Sequence, residues 1–339
     1  MKAVEENGMI DLMKQLVSSG SPSGHEKTVR DFIRKVVTPY ADEVRVDKLG
    51  NLLVRKGEKT KNGLRVMIAA HMDEIGLIAT HITDSGFVRV SNLGGVHGAY
   101  ALGQRVRFLN GVQGVIGHEF EGFSGEKITL DKLFVDVGAT SVEDCPVQIG
   151  DAAVFEGRFE EIAGRWTGKA LDNRVSVAVL IETLRILGKS PHELWFVFTA
   201  MEEGGRKGAG PAAFAIDPDI GIALDVLTAG DTPKGYESPV ELGKGPVLKM
   251  MDARLIADPA LMQAVDAAAK KIGLSMQRAV LKRGATDASM IQITREGIPS
   301  ANLGIPARYI HSPVEMVDAR DVEKTVSLML SLLENPIQL

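Results

Sequence analysis

Residues 66–73 read VMIAAHMD, five apolar residues followed by a histidine and, two positions later, an aspartate. An unbroken short apolar run of this kind is typical of a β-strand that is buried on both faces of a sheet. In open α/β sheets, ligands bind beyond the carboxyl ends of the strands. The sequence therefore predicts an α/β fold in which His71 and Asp73 face a functional site.

Further acids and histidines occupy comparable positions along the chain. Those that follow a predicted strand or open a predicted helix are His71, Asp73, Asp172, Glu202, Glu203, Asp225 and His311. Because such positions meet at one edge of an α/β sheet, we expect these side chains to converge. Imidazole and carboxylate groups without a thiolate suit zinc, cobalt or manganese, so the sequence predicts a metal site there.

The spacing within two of these pairs suggests separate roles. His71 and Asp73 point the same way in extended chain, so Asp73 is placed to hold the second ring nitrogen of a metal-binding His71. Glu202 and Glu203 are adjacent and diverge, so that one can bind metal while the other acts as general base. Each residue alone has an ordinary explanation, such as a helix N-cap for Asp172. The prediction rests on their coincidence at one sheet edge.

The pattern of apolar residues changes twice along the chain. Residues 1–75 and 166–339 mix helical periodicity with short apolar runs, whereas residues 76–165 carry short β-type runs between turn residues. We therefore predict an α/β domain of residues 1–75 and 166–339, interrupted by an all-β, barrel-like domain of residues 76–165. Helices are predicted over 8–18, 26–37, 171–187, 208–216, 259–272 and 322–333, and strands of the α/β domain over 66–70, 194–200, 220–226 and 300–304.

Composition excludes several classes of protein. The 339 residues exceed what one hydrophobic core usually fills, and the net charge of −5 argues against nucleic acid as a partner. A single cysteine, Cys145, permits neither an internal disulfide nor a four-cysteine zinc site, and favours the reducing cytoplasm. The segment Met1–Ser19 lacks the basic start of a secretory signal, and no apolar run reaches the roughly 20 residues that span a membrane.

Other catalytic motifs are incomplete. The sequence has no Gly-x-Ser-x-Gly nucleophile motif, and Cys145 lies in an acidic turn that would raise a thiol pKa. Neither His-Glu pair, His118-Glu119 or His192-Glu193, has the second histidine of a His-Glu-x-x-His site. The histidines that lack a matching acid pattern are interpreted as surface or loop residues, namely His25, His81, His97, His118 and His192.

Several longer strings resemble the tetrahedral (TET-type) co-catalytic metallo-aminopeptidases, a family of leucyl, glutamyl and lysyl aminopeptidases in which some members are labelled endoglucanases. The strings are His71–Gly76, Gly168–Arg174, Glu202–Gly204, Ala223–Asp225 and Arg308–Glu315, with Gly103–Val106 and Leu133–Gly138 in the all-β region. The resemblance covers essentially the whole chain. It implies a zinc-peptidase-like α/β/α sandwich with a mixed central sheet.

The resemblance also implies a site with two divalent metal ions, zinc or cobalt, that hydrolyses N-terminal residues from short peptides. Asp172 would bridge both ions, and the peptide bond after it would be cis. His71 and Asp225 would complete one metal site, and Glu203 and His311 would complete the other. Glu202 would be the general base, and Asp73 would orient His71. The all-β domain would form dimers that assemble into a hollow tetrahedral dodecamer.

The chain departs from the family pattern at two positions, and three alternative functions remain open. Relatives usually carry apolar residues where this chain has Gly204 and Arg206. The alternative functions are a metal-dependent deacylase of small N-acyl metabolites, a glycoside hydrolase, which would need two free carboxylates, and a shell protein with a decayed site. Side-chain specificity is not predicted beyond the hypothesis that loops 228–236 and 281–287, with Lys282, Thr286 and Asp287, line the cavity.

Overall fold

The computed structural model describes residues 6–119, 128–235 and 237–339. Residues 1–5 of the predicted N-terminal segment Met1–Ser19, and Tyr236 of the loop 228–236, lie outside the described residues. The helices are α1 (Glu6–Ser18), α2 (Lys27–Val37), α3 (Gly98–Ala101), α4 (Leu171–Ile186), α5 (Ala209–Ile216), α6 (Pro259–Lys271), α7 (Ala288–Gln292) and α8 (Ala319–Leu333). No helix of the described residues is long and apolar enough to cross a membrane.

The described strands form a large mixed sheet and a closed barrel. The sheet contains β1 (Glu43–Val46), β2 (Leu52–Lys56), β3 (Arg65–His71), β10 (Glu160–Ile162), β11 (Arg165–Gly168), β12 (Glu193–Thr199), β13 (Ile220–Thr228), β14 (Val247–Met251), β15 (Gln277–Val280), β16 (Ser300–Arg308) and β17 (Glu315–Asp318). The barrel contains β4 (Gly76–Ile82), β5 (Val88–Leu93), β6 (Arg105–Phe108), β7 (Gln113–His118), β8 (Leu133–Asp136) and β9 (Ala152–Phe155).

The apolar run that begins at Val66 forms β3 in the middle of the large sheet. β3 lies between β12 and β13 and is parallel to both, and β13 is parallel to β16. Antiparallel strands flank this parallel centre, so the sheet is mixed as predicted. A parallel strand covered on both faces needs apolar side chains at every position, which explains the lack of alternation in this run.

Helices cover both faces of the sheet and make it the middle layer of an α/β/α sandwich. Ile68 of β3 packs in the core cluster that contains residues of α1, α2, α4, α6 and α8. Met67, the neighbouring residue, packs on the opposite face with residues of α5 and α7. Because successive strand residues point to opposite faces, one short run serves both layers.

The barrel has a hydrophobic core of its own. Its six strands close in the order β4-β5-β8-β7-β6-β9, and their inward side chains, Phe108 and Val135 among them, are fully buried. The prediction of an all-β, barrel-like insertion is confirmed. After β9, the strands β10 and β11 pair with each other at the end of the large sheet. The domain limits at residues 75/76 and 165/166 stay a prediction.

Candidate active site

The predicted site residues come from elements that end at one edge of the large sheet. His71 is the last residue of β3, and in the register of the sheet it lies opposite Thr199 of β12, two residues before Met201 and the Glu202-Glu203 pair. Asp225 lies within β13, which continues three residues beyond it. The expected convergence of strand ends therefore occurs.

Asp172 lies between the two histidines. Its Oδ1 is 3.0 Å from His71 Nε2, and its Oδ2 is 3.4 Å from His311 Nε2. The Asp172–Asn173 peptide bond is cis, as the family resemblance implied. One carboxylate therefore presents one oxygen to each of two imidazoles.

Each imidazole is also close to a second carboxylate. His71 Nε2 is 3.7 Å from Asp225 Oδ1, and His311 Nε2 is 3.0 Å from Glu203 Oε1. Ligand atoms of His71, Asp172 and Glu203 all lie within 4.8 Å of one another. The five residues thus form two histidine–carboxylate pairs that share Asp172.

Burial and the contacts between the histidines and carboxylates shift the pKa values of this cluster. Burial alone would lower the pKa of His311, but hydrogen bonds to Asp172 and Glu203 outweigh it and raise that pKa to about 11. The pKa of His71 is raised well above its usual value by its carboxylate partners, again against the effect of burial. Burial raises the pKa of Glu203 and of Asp225. Buried carboxylates of this kind require paired charge, which a divalent cation can supply in place of the two imidazole protons.

Glu202 and Glu203 both reach the site, and their division into ligand and base stays a prediction. Glu203 contacts His311, and both glutamates line a cavity of about 500 Å³ whose wall also includes the other residues of the cluster. Burial raises the pKa of Glu202 well above the usual value, and His71 nearby partly opposes this shift. A carboxylate with a raised pKa is better matched to proton transfer near neutral pH.

The residues that line the cavity only partly match those predicted from the sequence. Thr286 and Arg206 line the cavity, whereas Lys282 and Asp287 are not among its lining residues in the described part of the chain. Asp287 is buried and accepts a hydrogen bond from Thr199. Of the two departures from the family pattern, Arg206 therefore faces the space where a substrate would lie.

Asp73 contacts both His71 and the backbone of the glutamate pair. Its Oδ1 is 3.5 Å from His71 Nδ1, and that ring nitrogen is 3.2 Å from the backbone oxygen of Asp73. The two carboxylate oxygens accept hydrogen bonds of 3.1 Å each from the backbone N–H groups of Glu202 and Glu203. Asp73 thus links the end of β3 to the loop after β12, a contact that spacing alone did not suggest.

Sequence reasoning missed Glu315 as a site residue, although it ends one of the family-like strings. This fully buried carboxylate accepts 2.7 Å and 2.9 Å hydrogen bonds from the backbone N–H groups of Asp172 and His311. Burial and the charge of Asp172 raise its pKa well above the usual value. Glu315 follows His311 by four residues but lies 143 residues from Asp172, and nothing in the sequence indicated that second contact.

His97 and His192 lie in loops, as interpreted, but each has a contact that the sequence did not suggest. The ring centroid of His97 lies 6.4 Å from that of His311, so the loop after β5 carries an imidazole to the rim of the site. His192 lies in a loop but is fully buried. Its Nδ1 accepts a hydrogen bond from Leu64 N–H, and its Nε2 is 2.9 Å from the backbone oxygen of Asn335.

The barrel loop after β5 packs its backbone directly against the cluster, so we expect Gly95→Ala to disturb it. A Cβ atom at position 95 would lie 2.3 Å from His311 Nδ1, and the imidazole would have to move. We expect the metal affinity to fall at least about tenfold, the lower range for changes that disturb ligand orientation. Metal affinity is measured by competition with a chelator. Gly210→Ala, which meets nothing closer than 3.8 Å, is the matched control; equal affinity in the two variants would contradict the packing argument.

The α/β/α sandwich carries a barrel insertion and a histidine–carboxylate cluster at the sheet edge, and relatives that are named aminopeptidases show that the class is a hydrolase acting on peptides. The chain belongs to the M42 glutamyl aminopeptidase family, whose model matches residues 50–328. Membership of this family implies divalent metal ions. The family resemblance of the sequence is thereby confirmed.

Relatives agree over nearly the whole chain. A lysyl aminopeptidase of Pyrococcus furiosus is 40% identical over 341 residues, which cover 96% of each chain. The solved structure of an aminopeptidase of Desulfurococcus kamchatkensis has a TM-score of 0.92 and 38% identity, covering 97% of this chain and 95% of that one. The TET1 peptidase of Pyrococcus horikoshii, described as able to assemble into a tetrahedron or a large octahedral shell, has a TM-score of 0.86 and 33% identity, covering 96% of this chain and 99% of that one.

Proposed function

We propose that this chain is an aminopeptidase that uses two divalent metal ions to remove N-terminal residues from short peptides, with Glu202 as general base. The observation that carries the proposal is the position of Asp172, whose two oxygens lie 3.0 Å and 3.4 Å from the Nε2 atoms of two histidines. A carboxylate shared in this way is suited to holding two cations together. A single-metal site would have no use for the second histidine–carboxylate pair.

Five residues would hold the ions. His71 and Asp225 would complete one site and Glu203 and His311 the other, with Asp172 common to both. Their nitrogen and oxygen donors suit zinc or cobalt. When bound, the two cations supply Lewis acidity toward the scissile carbonyl and lower the pKa of the attacking water.

The remaining steps belong to the chain itself. Glu202 accepts a proton from the attacking water and delivers it to the nitrogen of the leaving amine. Asp73 orients the imidazole of His71 and holds the backbone of Glu202 in place through the 3.1 Å hydrogen bond from its N–H group. We propose that recognition of the free α-amino group at this centre restricts cleavage to the N-terminal residue.

A substrate panel with controlled metal content tests this function. Chelated protein should lose hydrolysis of aminoacyl anilides and short peptides, and zinc or cobalt should restore it. N-acyl amino acids and glycosides should not be cleaved. Cleavage of N-acyl amino acids alone would indicate a deacylase, and activity that survives exhaustive chelation would contradict metal dependence.

We further propose that residues 76–165 form a dimerisation domain and residues 1–75 and 166–339 the catalytic domain. On the analogy of the TET1 peptidase, such dimers would build a tetrahedral dodecamer in the cytoplasm, with no part played by nucleic acid or membrane. Light scattering after gel filtration measures the number of 36.4 kDa chains in the particle. A monomer at micromolar concentration would contradict the assembly.

A further inference from the structure

We infer that Glu26 is a positioning residue for Glu202 and acts through the backbone of the base loop, defined here as residues 201–204. The inference rests on the proposed role of Glu202 as general base. Glu26 lies 175 residues from Met201 in sequence, and nothing in the site motifs points to it. The contacts of the base loop nevertheless indicate that Glu26 helps to hold Glu202 in position.

Two buried carboxylates hold three consecutive backbone N–H groups of the base loop. Met201 N–H donates to Glu26 Oε1 at 3.0 Å, and the next two N–H groups donate to the two oxygens of Asp73 at 3.1 Å each. The side chains of Glu26 and Asp73 are both almost completely buried. Hydrogen bonds to an ionised acceptor are stronger than neutral ones, so this arrangement defines the backbone direction from which the Glu202 side chain leaves.

The base loop needs such support because its backbone is unfavourable. Met201 has a φ of +55°, in the left-handed region that residues other than glycine rarely adopt. Such conformations persist only where surrounding contacts impose them, and they concentrate at functional sites. Glu26 supplies the contact at the strained residue itself, and Asp73 supplies the contacts at the two glutamates.

Glu26 does not use its carboxylate in the way its position in the chain would suggest. It occupies the N-cap position of α2, where side chains commonly accept hydrogen bonds from the first helical N–H groups, yet it makes no such bond. Its Oε1 accepts instead from Gly24 N–H at 2.7 Å and from Met201 N–H. The carboxylate is therefore committed to joining its own loop to the base loop.

Glu26 belongs to residues 21–26, called the support loop here, and this loop also contacts the other end of the base loop. A Cβ atom at Gly204 would lie 2.6 Å from Ser23 Oγ, so a larger residue there would force that hydroxyl to turn away. Ser23 N–H donates to the backbone oxygen of Glu74, which follows Asp73, at 3.2 Å. The support loop therefore contacts the base loop at Gly204 as well as at Met201.

A pair of variants of similar size tests the inference. Glu26→Met removes the acceptor, and Glu26→Gln keeps an oxygen that can accept from Met201 N–H. With saturating metal, we expect Glu26→Met to lower kcat by about 10- to 100-fold, the cost of a small misplacement of a catalytic group, with KM changed less than about threefold. Glu26→Gln should restore most of kcat. A thermal transition that falls while kcat stays normal in Glu26→Met would overturn the inference.

Asp321→Leu provides the matched control. Asp321 is another buried carboxylate that accepts two backbone N–H groups, from Gly243 at 2.6 Å and Gly245 at 2.7 Å, but it serves a loop outside the base loop. Its replacement should lower the midpoint of thermal unfolding and leave kcat of the folded protein unchanged. A fall in kcat as large as that of Glu26→Met would show that general destabilisation explains both, which would refute the positioning role.

A second pair of variants tests the support of the base loop if Glu26→Met does not fold. Gly204→Ala places a Cβ against Ser23 Oγ and should lower kcat at least about threefold, and adding Ser23→Gly should restore it. Unchanged kcat in Gly204→Ala would contradict the close support of the base loop. Glu202→Gln is measured in the same experiment. If Glu202→Gln stays active, the proposed function fails. If Glu202→Gln loses activity while the support-loop variants keep a normal kcat, only the present inference is refuted.

Discussion

Glu202→Gln is expected to lower kcat by about 10²- to 10⁴-fold, the range that a general base contributes, while the bound metal stays unchanged. Glutamine has nearly the same shape as glutamate but cannot accept the proton of the attacking water. Glu203, not Glu202, contacts His311, so the change should spare the proposed ligands. Steady-state kinetics on an aminoacyl anilide, together with metal analysis of the same sample, gives both quantities.

The matched control for this experiment is Glu161→Gln on the exposed edge strand β10. It changes the same chemical group far from the cavity and should leave kcat unaltered. Residual normal activity in Glu202→Gln would refute the assignment of the base. Loss of metal together with activity would mean that Glu202 is itself a ligand.

Asp172→Ala is expected to remove bound metal and activity together. Among the described residues, Asp172 is the carboxylate that contacts both histidines, so its loss should weaken both proposed metal sites at once. The affinity should fall by more than the roughly 10- to 100-fold that follows loss of an outer partner of a metal ligand. Metal content after dialysis and kcat at saturating metal measure the two effects.

Asp225→Ala is the informative comparison because, of the two histidines, Asp225 contacts His71. That variant should lose one ion per chain, whereas Asp172→Ala should lose both. Asp144→Asn, in an exposed turn of the barrel region, controls for the loss of a surface carboxylate. If Asp172→Ala kept two ions per chain, the shared-carboxylate arrangement would be wrong.

Helix and strand positions followed closely from local sequence. The helix predicted over 259–272 is α6 (Pro259–Lys271), because Asp258 caps it by accepting from Leu261 N–H and Pro259 begins it. The strand predicted over 300–304 is longer in the structure, where β16 runs to Arg308. Its last residues pair with β17, a neighbour that the sequence did not suggest.

The candidate site was predictable where chemistry and position coincide. Acids and histidines that follow an apolar run or open a helix stand out in the sequence, and seven candidate site residues were predicted from such positions. The residues that hold them were not predictable. Glu315, Glu26 and Gly95 act through backbone N–H groups or through a missing Cβ atom, and such contacts leave no pattern in the neighbouring sequence.

The amino-acid sequence by itself determined the α/β class and the barrel insertion, and it was enough to propose seven candidate site residues, because hydrophobic periodicity and residue chemistry are local properties. Only the tertiary structure decided that Asp172 shares its oxygens between two histidines and that Glu26 reaches Met201. Those contacts join residues more than 100 positions apart. Their distances depend on how the strands align in the sheet and how the loops pack beyond it, which no local pattern encodes.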